Sequence, residues 1–159
     1  MDKLLDIGCR VAGALNRAGE LLPQLGLRFL LAYEFWESGV MKLDATGGAG
    51  PAPEWFAGMD YPFPFGLLPA TFNWILVMWT EIIGAVLLVI GLATRFVAIA
   101  FVILDVVAWV SVHAGNGYNV CDNGYKLPLM YLIMLLPLLF SGAGKASVDR
   151  FVARRFVGA

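Results

Sequence analysis

The sequence predicts an all-α integral membrane protein, a four-helix bundle preceded by an amphipathic helix on the cytoplasmic side. Three observations carry this expectation. Of 159 residues, 60% are hydrophobic and only 14% charged, against roughly 45–50% and about 25% in soluble domains. A soluble domain of this size has too little interior to hide so much apolar surface, and a bilayer removes the need to hide it. Four apolar segments each approach the roughly 20 residues that cross a hydrocarbon core, and the mean hydropathy is +0.76. Finally, the basic residues sort to one side of those segments. The lipid bilayer is therefore the first partner. A net charge of -1 without a basic run excludes nucleic acid.

Residues 1–20 show helical periodicity. Leu4, Gly8, Val11, Leu15 and Leu22 share one face, and Lys3, Asp6, Arg10, Arg17 and Glu20 lie mostly opposite. The pattern describes an amphipathic segment that either rests on the cytoplasmic leaflet or extends the first span and packs on its neighbours. It has no apolar run followed by a cleavage site, so no signal peptide is expected.

The spans are expected at about 21–43, 72–93, 95–113 and 125–142, within one domain covering 21–143, with a basic cytoplasmic tail at 144–159. Helix is required because an open strand would leave backbone groups unpaired in lipid. In the fourth span Pro128 falls near the start, where proline is tolerated, and Pro137 falls deep inside, where it predicts a kink.

Orientation follows from charge. Lys3, Arg10, Arg17, Arg95, Lys145, Arg150, Arg154 and Arg155 fall on one side, and only Lys42 and Lys126 on the other, at span edges. Both termini are thus expected in the cytoplasm of a bacterial inner membrane, with outer loops at 44–71 and 114–124. Cys9 and Cys121 then lie on opposite sides and form no intrachain disulfide. Cys121, outside, suits a free thiol, an intermolecular bridge or a soft-metal ligand.

The stretch "LLAYEFWESGVMKL" places Glu34 and Glu37 inside the first span, on a face shared with Met41. Counting about 1.5 Å per residue from the cytoplasmic boundary, Arg28 sits about 10 Å deep, Glu34 about 20 Å and Glu37 about 24 Å. Glu81 and Asp105 reach about 21 and 15 Å by the same measure. Each such charge costs roughly 2.5–3.5 kcal/mol at a helix centre, so the four carboxylates should face the bundle interior or water. Three arrangements satisfy that requirement. The groups can pair internally, Arg28 with Asp105, Glu34 or Glu37 with Lys42 or Lys126, and Glu81 with Tyr or Trp donors. They can instead line an outward-facing pocket that holds a cation or relays protons. Or Glu37 simply meets headgroup water.

The first outer loop is too aromatic for a solvated linker, with Trp55, Phe56, Tyr61, Phe63 and Phe65. It either lies in the membrane interface or caps the bundle, with one or two helical turns over 54–60 and Met59 in a packing role. The second, "HAGNGYNVCDNGYK", repeats Asn-Gly-Tyr and suits a compact double turn. His113 and Cys121 with Met41 or Met59 are the residue types that bind Cu(I). An interfacial histidine bonded to a carbonyl is the simpler expectation.

Together these pieces resemble the DoxX family of four-span inner-membrane proteins, from Leu25 to Asp149. The resemblance rests on Arg28, the Gly-x-x-Lys-Leu at Gly39, Lys42 and Leu43, and the Glu-x-x-Gly at Glu81 and Gly84. It extends to Leu88, Gly91, Leu92, Thr94 and Arg95, and closes with Gly142, Gly144, Ser147 and Asp149. The segments "AYEFWESGVMKL", "YPFPFGLLP" and "KLPLMYLIMLLPLLFSGAGK" are similar to the HvfX-like branch, whose members are encoded beside enzymes that mature copper-binding peptides called bufferins. The resemblance implies a role in maturation, export or electron supply for such peptides, with neighbouring maturation proteins or the peptide itself as partners.

Three functions are then in play. One is an accessory component of a copper-peptide pathway, with a pocket of Glu34, Glu37, Glu81, Asp105 and His113. Another is a quinone-linked oxidoreductase subunit in which Glu81 or Asp105 handles protons. The last is a scaffold without ligand. Copper and quinone are the cofactors these readings imply, although the sequence has no Cys-x-x-Cys, no second histidine for a haem pair and no Gly-rich nucleotide loop. Gly84 and Gly91, seven apart, suit close helix approach within the chain or in a homo-oligomer.

Overall fold

In a computed structural model the protein is described over residues 2–19 and 21–156, with side chains from residue 7 onward. Its elements are all helical among the described residues: α1 (Asp2–Gly19), α2 (Leu22–Thr46), α3 (Glu54–Ala57), α4 (Ala70–Ile90), α5 (Thr94–Ala108), α6 (Lys126–Ser141) and α7 (Val148–Phe156). A π-helical turn, Trp109–His113, continues α5. The expected spans correspond to α2, α4, α5 with its π turn, and α6.

The helices begin and end where local chemistry requires. Pro23 occupies the first turn of α2, where its missing N–H costs nothing. Gly47 and Gly91 close α2 and α4 in the left-handed conformation, with φ of 63° and 69°. α6 runs through Pro137 to Ser141. Two helices, Ala70–Ile90 and Thr94–His113, are long and apolar enough to cross a membrane on composition alone. α2 has the length, 25 residues, but Arg28, Glu34, Glu37, Lys42 and Asp44 dilute its hydropathy. α6 has only 16.

α2, α4, α5 and α6 pack around one core, with the chief contacts α2 on α4 and α5 on α6, and α4 on α5 and α2 on α6 closing the ring. Successive helices run antiparallel. Arg28 meets Leu88, Lys42 meets Glu81, and Thr46 meets Trp74. Leu31, Ala32, Phe35, Ala85, Leu88, Val97, Ala98, Phe101, Leu135 and Leu138 form the buried centre. At its middle the Phe35 and Phe101 rings stack with centroids 3.8 Å apart. Outward faces are apolar on all four helices, as Phe29, Trp79, Ile99 and Ile133 show. That distribution suits a surrounding of lipid.

Small residues set the spacing. A Cβ on Gly39 would lie 2.7 Å from Ile82 Cγ1, and one on Gly84 would lie 2.5 Å from Phe101 Cζ. The close approach at Gly84 is therefore to another helix of the same chain.

Arg28 departs from expectation. It does not pair with Asp105; it is 1% exposed and its guanidinium is taken up by backbone carbonyls at the opposite end of the bundle. Nε donates to Leu88 O at 2.7 Å, Nη2 to Val89 O at 2.6 Å, and Nη1 to Ala143 O and Ala146 O at 3.1 and 2.7 Å. The physical reason is the helix end: the last carbonyls of α4 have no intrahelical donor and carry the negative pole of the helix dipole. A planar cation with five N–H groups satisfies several at once. Asp149 completes this junction by accepting from Ala93 N and Thr94 N at 2.6 and 2.9 Å, capping α5.

α1 does not pack into the bundle. Ile7, Val11 and Leu15 are each more than half exposed and form an uncovered apolar stripe. This favours the surface-lying reading over the packed extension.

Candidate functional site

At the end of the bundle opposite Arg28, the four helices diverge around a cavity of about 660 Å³. α2 contributes Glu34, Glu37, Ser38, Met41 and Lys42, α4 contributes Asn73 and Glu81, and α5 and its π turn contribute Asp105, Ser111 and His113. Tyr131 of α6 closes one side. The first interhelical loop supplies a wall through Trp55, Phe56, Met59, Tyr61 and Phe65, so it caps the bundle. Phe56 is buried, edge-on to Trp74 with centroids 4.9 Å apart, and one helical turn, α3, presents it. The Tyr61 hydroxyl donates to Phe56 O at 2.6 Å. Burial pushes its phenol up to about 12, so the hydroxyl stays a neutral donor.

The acidic residues expected to converge do reach one cavity, but their partners differ from those expected. Glu81 is bound by Lys42, with Nζ 2.8 Å from Oε2 and 3.0 Å from Oε1, and by Ser38 Oγ at 3.1 Å. Tyr or Trp donors do not serve it. Lys42 is thus committed to Glu81, leaving Glu34 to accept from the Tyr131 hydroxyl at 2.7 Å. Glu37 is exposed. Asp105 is 4% exposed and its Oδ2 has no hydrogen-bond partner. Two further buried oxygens on the same cavity, Asn73 Oδ1 and Ser111 Oγ, are also without one. Buried polar atoms ordinarily find partners, and these three on one cavity have none within the protein.

The soft-ligand set is not assembled. Met41 and His113 line the cavity, whereas Cys121 does not; it is a free thiol in the exposed loop, as Cys9 is in α1. His113 Nδ1 lies 2.7 Å from Asn123 O, the carbonyl contact expected of an interfacial histidine. Among the described residues no three His, Cys, Asp or Glu side chains group closely enough to hold a metal ion. Lys126 faces the Tyr118 ring at 5.8 Å and takes no part in the cavity.

Ser38, Asn73, Ser111 and Tyr131 escaped the sequence reading. Their signal was weak: neutral polar residues inside apolar runs, each a whole number of turns or a short step from an acid or base. Ser38 precedes Lys42 by one turn, and Asn73 precedes Glu81 by about two turns. Ser111 lines the cavity from within the π turn. Such turns occur frequently at functional sites, and nothing in the local residue pattern announces this one.

A sequence model of the DoxX family matches residues 24–114. An uncharacterized protein of Haemophilus influenzae is 46% identical over 148 residues, which cover 92% of this chain and 91% of that protein. A second uncharacterized protein of the same organism is 30% identical over 131 residues, or 77% and 85% of the two chains. No solved structure gives a significant match.

Proposed function

Because the chain belongs to the DoxX family of membrane proteins, we propose that it spans the bacterial inner membrane four times with both termini cytoplasmic, and binds a ligand in the outward half of its bundle. Its role is that of an accessory component in the maturation, export or metal handling of copper-binding peptides. The observation that carries the ligand role is Asp105, buried on a cavity of ligand size with an unpartnered carboxylate oxygen. A purely structural acid in an apolar bundle would be paired. The pathway rests on the likeness of residues 32–43, 61–69 and 126–145 to the HvfX-like branch. A deletion strain tests it: export of mature peptide and copper tolerance should fall, and unchanged values for both would remove the pathway from consideration.

A second reading, a quinone-linked oxidoreductase subunit, is favoured by one feature. The cavity wall is largely apolar, with Phe35, Phe56 and Leu104 among its lining, which suits the body of a quinone. Extraction of the purified protein for quinone, with an optical spectrum, decides it. Absence of both a bound quinone and quinone reduction leaves the first reading alone.

A further inference from the structure

The cavity's polar groups are not a balanced set. All three of its orphan oxygens can accept. When Asp105 is ionised its Oδ2 and the Asn73 Oδ1 only accept, while the Ser111 hydroxyl accepts or donates. His113 lines the cavity as well, with its Nδ1 2.7 Å from the Asn123 carbonyl and donating to it. Four donors on the cavity are already engaged. Lys42 serves Glu81 and Ser38, Ser38 serves Glu81, Tyr131 serves Glu34, and Asn73 Nδ2 serves Phe65 O at 2.9 Å. Formal charge leans the same way. Glu34, Glu37, Glu81 and Asp105 face one ammonium, that of Lys42, leaving three negative charges uncompensated when the acids are ionised and His113 is neutral.

We infer that the cavity takes a donor-bearing organic cation, a primary ammonium on an apolar body, with the ammonium at Asp105 and the body against the apolar wall of α5. An ammonium brings three donors and no acceptor, matching three orphan oxygens, and its charge offsets the desolvation of a buried carboxylate. Ala100, Ile103, Leu104 and Ala108 line the cavity beside Asp105 and provide the apolar contact. A head group made only of acceptors, such as a quinone carbonyl, finds a donor among these three oxygens only at the Ser111 hydroxyl. This inference rests on the ligand-binding role proposed above and names the class of ligand.

The test uses the full-length protein in detergent at neutral pH with three probes that share a benzyl body: benzylammonium, benzyl alcohol and phenylacetate. Benzylammonium should raise the melting temperature in a saturable way, and the other two should not. Asp105→Asn keeps the shape of the side chain and removes its charge. It should weaken benzylammonium binding by about tenfold or more, the value of a hydrogen bond to a charged group. The probe comparison on the unaltered protein stands even if that variant folds poorly. Alcohol or phenylacetate binding as well as the amine would overturn the cation class while leaving a ligand cavity in place. Silence from all three would overturn the ligand-binding role too. Full affinity in Asp105→Asn would overturn the placement of the ammonium. The same ammonium can belong to a free amine or to an aminophospholipid. If the lipid is the source, phosphatidylethanolamine in a nanodisc abolishes the benzylammonium shift and phosphatidylcholine does not. A shift that survives both lipids identifies a free amine.

Discussion

Lys42 and Glu81 join α2 to α4 at the edge of the cavity by a two-point ion pair, Nζ lying 2.8 and 3.0 Å from the two carboxylate oxygens. Both side chains are largely removed from solvent, 13% and 4% exposed, and Ser38 bonds to each. The pair sits one turn from Gly39, whose missing side chain lets the two backbones approach.

Breaking that pair on one side should be expensive. Glu81→Gln leaves a buried ammonium without its counter-charge, and the expected loss is about 3 kcal/mol, as for other buried pairs cut in half. The double change Lys42→Met with Glu81→Leu should recover most of that, because neither charge then needs desolvating. Denaturant unfolding in detergent measures both, and a double variant no better than the single one would contradict this account.

Arg28 should resist even its nearest substitute. Lysine offers one ammonium where four backbone contacts are made by a planar fork, so Arg28→Lys is expected to cost about 2–4 kcal/mol in orphaned carbonyls. Gly91→Ala should act at the same junction by a different route. Its φ is 69° and a Cβ would lie 2.6 Å from Arg28 Nη2. Thermal melts of the two variants, compared with a mutation outside the junction such as Tyr118→Phe, read out the difference.

Gly84 faces the Phe101 ring that stacks on Phe35. Gly84→Ala should destabilise by about 1–3 kcal/mol, the usual range for overpacking, although alanine favours helix more than glycine does. Adding Phe101→Leu should relieve the clash, so the double variant is expected to be more stable than the sum of the two singles. Strict additivity would show that the methyl group is accommodated elsewhere.

The two free, exposed thiols report on orientation. In intact cells with a permeabilised outer membrane, a membrane-impermeant maleimide should label Cys121 and spare Cys9. After disruption of the inner membrane both should react. Labelling of Cys9 in the intact state would invert the proposed topology or break it.

Much of the architecture was legible because it follows from composition and period. Apolar runs of helical length located α2, α4, α5 and α6 to within a few residues. Depth counted along each helix brought Glu34, Glu37, Glu81 and Asp105 to a common level, and they share a cavity. Pairing was not legible. Depth leaves the rotation of each helix open, so Lys42 was matched to Glu34 or Glu37 when Glu81 stood nearer, and Arg28 to Asp105 when four carbonyls did.

By itself the sequence determined that helices form, how long they are and which residues are too polar to face lipid, since burial cost and helical period are local properties. Only the tertiary structure decided which polar groups meet. Glycines at 39 and 84 set how closely the helices approach, and the π turn carries Ser111 and His113. Contacts of about 3 Å depend on those spacings and rotations, and it is through them that Glu81 has its partner while Asp105 is left with an oxygen unmet.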